Sequence, residues 1–437
     1  MEIAAGAEGS GVTTPSRIRP TFLVGAWGVL ITSASLWGAH LRRSGLRIQL
    51  DAAPLYGRFD ARIGPRVVVV LAFAAIAVYF GPRIARRLSW RHLILVGFLA
   101  SGIWAVTLAF TDGVAAIGAP LAKRNEYLRG IAFVSTPGVY VHHFIAQIKA
   151  FPSHVQAHPP LIVLIFWGLS KIGLAGAGWA AVVVILAWAS VVPAVLVTAR
   201  EIAGATVARA AFPFLVIAPF AIWAATSADA LFAAVGAWSV ALLVLATRES
   251  GLKNDLFAVS GGLLLGATLF LSYGLILLGF IPLLVSLARR RFRPLLIGAL
   301  GLCLVVGLFG YLGLWWWDGL RAAIGAYHRV DPRQGSAAFF FVANLGALAL
   351  AVGPACLIGV TQLRDRKAWL LVGGGLVAIL LANLSGLSRG EVERIWLPFV
   401  PWLMLGTSSI GGVGRGRWLT IQATLAVLIQ TMVRTHW

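Results

Sequence analysis

Run after run of apolar residues, each about the 17–25 that a helix needs to cross a bilayer, leaves this chain few folds to adopt. Lipid offers a peptide backbone no hydrogen bonds, so every such run must be helical. Composition agrees. Hydrophobic residues make up 59% of the 437, charged residues 12%, and mean hydropathy is +0.88. Soluble domains carry about 45–50% apolar and about 25% charged residues. The expected fold class is an all-α polytopic membrane protein.

The 36 Lys and Arg outnumber the 15 Asp and Glu. In a soluble protein such an excess would suggest nucleic acid. Here the positive charge is scattered over short turns, as cytoplasmic loops require, and a nucleic-acid partner is excluded. Cys303 and Cys356 both lie inside apolar runs and suggest neither a disulfide framework nor a metal motif.

Residues 1–20 are small and polar and read as a disordered cytoplasmic segment without the pattern of a cleaved signal peptide. Two spans follow within residues 21–92, at about 21–37 and 67–80. A third, 93–110, delivers Asp112 to the far side. Residues 161–173 are short for a span and read as a juxtamembrane helix returning to the same face. Further spans are expected at 179–198, 212–225, 231–246, a hairpin over 256–287, 295–317, 339–361, 369–384, 396–405 and 419–433. That makes roughly 13, with basic turns such as PRIARRLSWRH and ARRRFRP on the cytoplasmic side. The Arg-rich interval 42–66 falls outside in this topology, against the charge rule.

The polar interval Thr111–Pro160 stands out in so apolar a chain. It holds Asp112, Glu126, Lys123, Arg124, Arg129 and the histidines His142, His143, His154 and His158, and it closes on two prolines. Its face also receives Asp229, Asp318, Asp331, Glu391 and Glu393, with Arg321, Arg329, Arg333, Arg389 and Arg394. Mixed charge beside a membrane is ordinarily interfacial solvation, but Asp112, Asp229 and Glu393 sit at span ends, where desolvation is costly without a partner.

The order of these pieces resembles the GT-C superfamily, the integral-membrane glycosyltransferases that use polyprenyl-phosphate sugars, in its dolichyl-phosphate-mannose mannosyltransferase-like branch. The matching residues are Asp112-Gly113 after an outward span, His158-Pro159-Pro160-Leu161 closing the loop, and Ser227-Ala228-Asp229-Ala230-Leu231-Phe232. Gly390-Glu391-Val392-Glu393-Arg394-Ile395-Trp396-Leu397-Pro398-Phe399 resembles a signature of a poorly characterised bacterial branch. The resemblance covers roughly Leu93 to the C-terminus. It departs from the family in having two earlier spans, where one is common, and a lone acid at Asp112, where many members carry a carboxylate pair.

The resemblance implies a GT-C-like catalytic domain over 93–437, residues 112–160 being the outer catalytic loop with juxtamembrane helices. It implies an inverting transfer of mannose or arabinose from polyprenyl phosphate to a lipid, glycan or protein acceptor outside the cytoplasm. Asp112 is then the catalytic carboxylate. Taking the acceptor hydroxyl proton needs a base, or a carboxylate holding a metal that does the same work. If the reaction uses a divalent metal, Mg or Mn, Asp112 is where it would be held. The bland alternative for Asp112 is a helix cap.

Cations must hold the lipid phosphate as charge leaves on it, a task suited to arginine. Glu126, Arg129, His158, Asp229, Arg329, Arg333, Glu391, Glu393 and Arg394 are the expected substrate and phosphate contacts, Arg394 first for the phosphate. Asp229 could be only an N-cap, His142-His143 an interfacial pair, and Tyr327-His328-Arg329 part of a solvated connector. Two other readings stay open: a secondary transporter, and an O-antigen ligase or polymerase-like enzyme. Transporters place charges near the midplane in broken helices, whereas these acids sit at outer span ends. The Ala, Gly, Arg and Trp usage points to the plasma membrane of a high-GC bacterium.

Overall fold

The computed structural model describes residues 19–330, 333, 335–412 and 414–436. Asp331 and most of the expected N-terminal segment lie outside them. Among the described residues nine helices are long and apolar enough to cross a membrane. They are α1 (Pro20–Arg43), α2 (Val67–Arg87), α3 (Trp90–Phe110), α4 (Ala177–Val216), α5 (Asp229–Ala246), α6 (Leu252–Leu271), α7 (Arg293–Tyr311), α8 (Ala337–Gln362) and α9 (Arg366–Leu384). The chain is an all-α, multi-pass membrane protein. A further helix, α10 (Gly414–Met432), begins beside Arg86 at the C-terminal end of α2 and reaches Asp112 at the C-terminal end of α3.

Several expected spans take a different form. The run 295–317 stops at Tyr311, and the supposed solvated connector after it is a helix, Trp316–Val330. Its Trp315 and Trp317 neighbours are half-exposed, and its Tyr327 hydroxyl accepts the Arg389 N–H at 3.2 Å. The run 396–405 is broken into short turns, Val392–Ile395, Val400–Leu403 and Met404–Ser409. Leu161–Lys171 has 11 residues and rises only about 16 Å, half a hydrocarbon core.

Breaks inside the bundle are satisfied locally, as an apolar surrounding demands. In α8 Gly353 takes φ 71° and Pro354 follows, which frees the Val352 carbonyl. The Gln422 side chain of α10 donates to that carbonyl, so closely that a Cβ on Gly353 would overlap the amide. α4 is likewise kinked, at Gly204.

The charges divide between two ends. At one, Arg248 and Arg289 hold Glu201, Arg293 holds Asp255, and Arg200 lies over Trp90. The other end gathers Asp112, Asp229, Glu391 and Glu393. The interval 42–66 lies with that second end, because Arg62 pairs with Asp112 and the Tyr56 N–H donates to Glu393 Oε1 at 2.9 Å. Arg62 serves there as the counter-charge of Asp112. Within the interval β1 (Gly57–Phe59) pairs antiparallel with β2 (Val433–Thr435), so the segment after α10 is strapped across this end.

α6 and α7 pack backbone to backbone, and a Cβ on Gly262 would overlap the Gly298 carbonyl. Gly262→Val therefore forces the helices apart, at a cost of at least about 1–3 kcal/mol, and lowers the thermal midpoint of the solubilised protein. Gly307→Val, at a position with nothing within 4 Å, leaves the midpoint near that of wild type. Equal melting of the two variants would refute the close approach.

Candidate functional site

Arg394 is the centre of the charged end. It is 3% exposed, in the turn Val392–Ile395 that interrupts the last apolar stretch. Its guanidinium donates to Asp229 Oδ2 and to Glu391 Oε2, both at 2.6 Å, and lies 3.4 Å from His154 Nε2. Arg333 donates to the other oxygen of Glu391 and to the Arg389 carbonyl. Glu126 Oε1 stands 3.0 Å from His154 Nδ1. Three carboxylates thus meet two guanidiniums in a site closed by Tyr127 and Phe232.

Local sequence explains how each group is held. Asp229 opens α5 without capping it, since Ala228 is the N-cap residue and the Ser227 hydroxyl donates to Asp229 Oδ2 at 2.6 Å. The N-cap reading of Asp229 is therefore replaced by an ion-pair role. Glu391 has φ 62°, a left-handed conformation that is costly for a residue with a Cβ. Such strain persists only where the surroundings impose it, and here two arginines grip both carboxylate oxygens. Burial works against the charge of Glu391, but Arg394 and Arg333 outweigh it and hold the carboxyl at about 2.

Glu393, two residues on, is in the opposite condition. It is 1% exposed; Oε1 accepts the Tyr56 N–H, while Oε2 has no hydrogen-bond partner among the described residues. Burial pushes its carboxyl up to about 7, and the negative charge of Glu391 adds to the shift. His158 donates from Nδ1 to the His154 carbonyl at 3.0 Å, and burial lowers it to about 4. The ring is then neutral and its Nε2 is an acceptor. Edge-on contact with Tyr127, at 5.4 Å between centroids, fixes its plane. Burial, reinforced by Asp229, raises the Tyr127 hydroxyl well above its usual range, so that it stays a donor.

Asp112 belongs to a second ion pair. Its Oδ2 takes Arg62 and the Gln430 amide at 3.1 Å, and Arg62 also donates to the Gln430 and Val433 carbonyls at 2.8 and 2.9 Å. It caps no helix; Gly113 is the N-cap residue of the following turn. β2 joins the two centres, for the His436 ring lies 4.4 Å from Tyr56 and Lys123 donates to the His436 carbonyl. Mg or Mn needs several oxygens converging on it. One carboxylate with an oxygen already engaged by Arg62 and Gln430 does not fit such an ion, and among the described residues no three His, Cys, Asp or Glu converge on a point.

The structure thus brings together Glu126, Asp229, Arg333, Glu391, Glu393 and Arg394, with His158 alongside. Arg129 instead faces an open groove of about 710 Å³ with Arg124, Phe133 and Phe151. Arg329 is exposed on the helix Trp316–Val330. His142 and His143 are exposed at the end of the short helix Pro137–His143. Sequence reasoning missed Arg62, Tyr56, Gln430 and the pairing role of His154. Only Gln430 carried a signal, as a polar residue late in an apolar run. Comparison with protein-family models, with curated proteins and with solved structures gave no match.

A carboxyl raised by folding contributes stability that is present below its unfolded value of about 4.5 and is lost as pH rises through about 7. His158, lowered by folding, has the opposite sign between about 6.5 and 4, so the informative quantity is a difference. Glu393→Gln should match wild type near pH 5 and become the more stable protein by pH 8. The gap should be on the order of 3 kcal/mol, read by denaturation of the solubilised protein across pH. A gap that does not change with pH would mean that Glu393 titrates normally.

Proposed function

We propose that this protein is an inverting integral-membrane glycosyltransferase. It moves mannose or arabinose from a polyprenyl-phosphate donor to a lipid, glycan or protein acceptor on the extracytoplasmic face of a bacterial plasma membrane. In this reading the bundle is GT-C-like, with roughly 13 passes once the broken segments are counted, and residues 112–160 form its catalytic loop. One observation carries the proposal: a buried cluster of carboxylates, Glu126, Asp229 and Glu391, held in place by Arg333, Arg394 and His154 beneath that loop. Glycosyl transfer passes through a cationic, oxocarbenium-like sugar, which carboxylates fixed beside it favour.

The acceptor oxygen attacks the anomeric carbon as the bond from that carbon to the phosphate oxygen breaks. The electron pair leaves with the phosphate, and the acceptor proton passes to a carboxylate. Asp112 is assigned that proton. It is partly exposed at the rim, and among the described residues its Oδ1 has no hydrogen bond while Oδ2 is held by Arg62 and Gln430. An anchored carboxylate with one free oxygen suits a base that must not swing away. Arg129, beside Arg124 on the loop, supplies cation for the sugar phosphate or acceptor.

The kinks at Gly204 and Gly353 favour the transporter reading, since transporters bind at broken helices. Against it, the Gly353 break is filled by a neutral glutamine, and the charges lie at the two ends of the bundle rather than at the break.

Purified protein reconstituted with radiolabelled polyprenyl-phosphate-mannose and a membrane lipid extract should transfer label. Asp112→Asn should lower the rate by about 10²–10⁴-fold without changing expression. Equal rates would remove Asp112 from the chemistry. No transfer from the mannose or the arabinose donor would leave the transporter as the better reading.

A further inference from the structure

The first turns of α8 and the last turn of α9 enclose a groove of about 450 Å³, within the range of small-ligand sites. Its walls are hydrocarbon and aromatic: Ala338, Phe340, Phe341 and Leu384. Its floor is a closed amide network. Asn344 donates to Asn383 Oδ1 at 2.9 Å and to the Ser388 carbonyl at 2.7 Å, and its own oxygen accepts the Gly390 N–H. Asn383 donates to the Phe341 carbonyl. The floor therefore has little spare hydrogen-bonding capacity and presents a fixed shape.

At the mouth stands Arg389, its guanidinium 5.9 Å over the Phe340 ring and, among the described residues, in no ion pair. Its backbone is clamped on both sides: the N–H donates to Tyr327 and the carbonyl accepts from Arg333. Glu391, a member of the buried charge cluster, is the next residue but one in the chain. Around the groove α9 and the turn beyond expose Leu380, Leu384 and Leu387. The other groove, beside Arg124 and Arg129, has more cation but no wall drawn from a membrane-spanning helix.

We propose that the α8–α9 groove is the lateral entry site for the isoprenoid phosphate, the first isoprene units lying between Phe340, Phe341 and Leu384 and the phosphate meeting Arg389. This rests on the transferase reading above. An apolar slot between membrane helices, ending in a guanidinium without an ion-pair partner, matches an amphiphile with one apolar chain and one compact anion. Arginine binds such an anion through two parallel N–H bonds.

Farnesyl phosphate binding to the full chain in detergent, followed by native mass spectrometry, tests the assignment. Wild type should bind farnesyl phosphate well ahead of farnesol, with inorganic phosphate a poor competitor. Arg389→Ala should weaken farnesyl phosphate about tenfold or more and leave farnesol unchanged, and Arg389→Lys should recover part of the loss. Ala338→Trp, at an exposed position in the first turn of α8, should weaken both lipids while the thermal midpoint holds. Wild-type affinity in Arg389→Ala and Ala338→Trp would overturn the groove. Sugar transfer by those same variants would then leave the transferase standing. Binding that depends on Arg389, with no transfer from any donor, would support the groove and sink the transferase.

Discussion

The buried guanidinium of Arg394 is the interaction on which the charged end depends. It joins Asp229, at the start of α5, to Glu391, 162 residues later in the chain, and passes His154 of the loop on the way. Removing one partner of a buried pair costs about 3–5 kcal/mol, because the other charge is left without compensation in a poor solvent. That penalty fixes several elements at once. The end of α5 cannot drift from the turn Val392–Ile395, Glu391 is kept in its left-handed conformation, and Arg333 is drawn in to complete the second carboxylate oxygen. Such a network earns little net stability over a hydrocarbon core of equal volume. Its presence in so apolar a protein therefore argues for chemistry rather than for folding.

A second, smaller tie controls the cover. Arg62 holds Asp112 with one nitrogen and two backbone carbonyls with the other, one on α10 and one on β2. β1 and β2 are three residues each, too short to persist alone. They hold because Arg62 and the His436–Tyr56 contact anchor both strands at the same edge. The loop of Asp112, the interval after α1 and the segment after α10 thus close over the ion cluster as one unit. A shift in any of them would be felt at Glu393 through Tyr56.

Span positions were legible because apolar length is a local property and the bilayer leaves the backbone no alternative to helix. That Asp229, Glu391 and Arg394 would be paired was legible for the same reason: charge at the edge of an apolar run demands a partner. What those partners were was not. Arg62 meets Asp112 across 50 residues and Tyr56 meets Glu393 across 337, and no period or motif encodes such distances. The charge rule says nothing of the partners of the arginines in 42–66, because it takes no account of an acid such as Asp112 at the same end of the bundle. The helix Trp316–Val330 is hard to read from the sequence because its apolar residues recur on one face only, which lowers its mean hydropathy below that of a span without making it less helical. The assignment of Asp112 drew on the resemblance, and the geometry has added a free oxygen and a fixed orientation to it.

Glu391 and Glu393 are separated by a single valine yet live in opposite electrostatic surroundings. Two guanidiniums hold Glu391 ionised at any physiological pH, whereas burial with one backbone donor brings Glu393 near neutrality at pH 7. Glu391 sits in a left-handed conformation just before the turn Val392–Ile395 and Glu393 inside it, so the two side chains leave the backbone in different directions. Glu391 therefore turns toward the arginines and Glu393 toward the interval after α1. When one local segment drives two like groups apart in this manner, the pair can divide labour between fixed charge and mobile proton. In the proposed transferase, fixed negative charge would suit a cationic sugar, and a carboxyl near neutrality beside it would add no repulsion to an arriving phosphate. What the structure itself gives along these residues is a buried ion pair at Glu391 and Arg394 and, between them, a carboxyl raised by burial at Glu393.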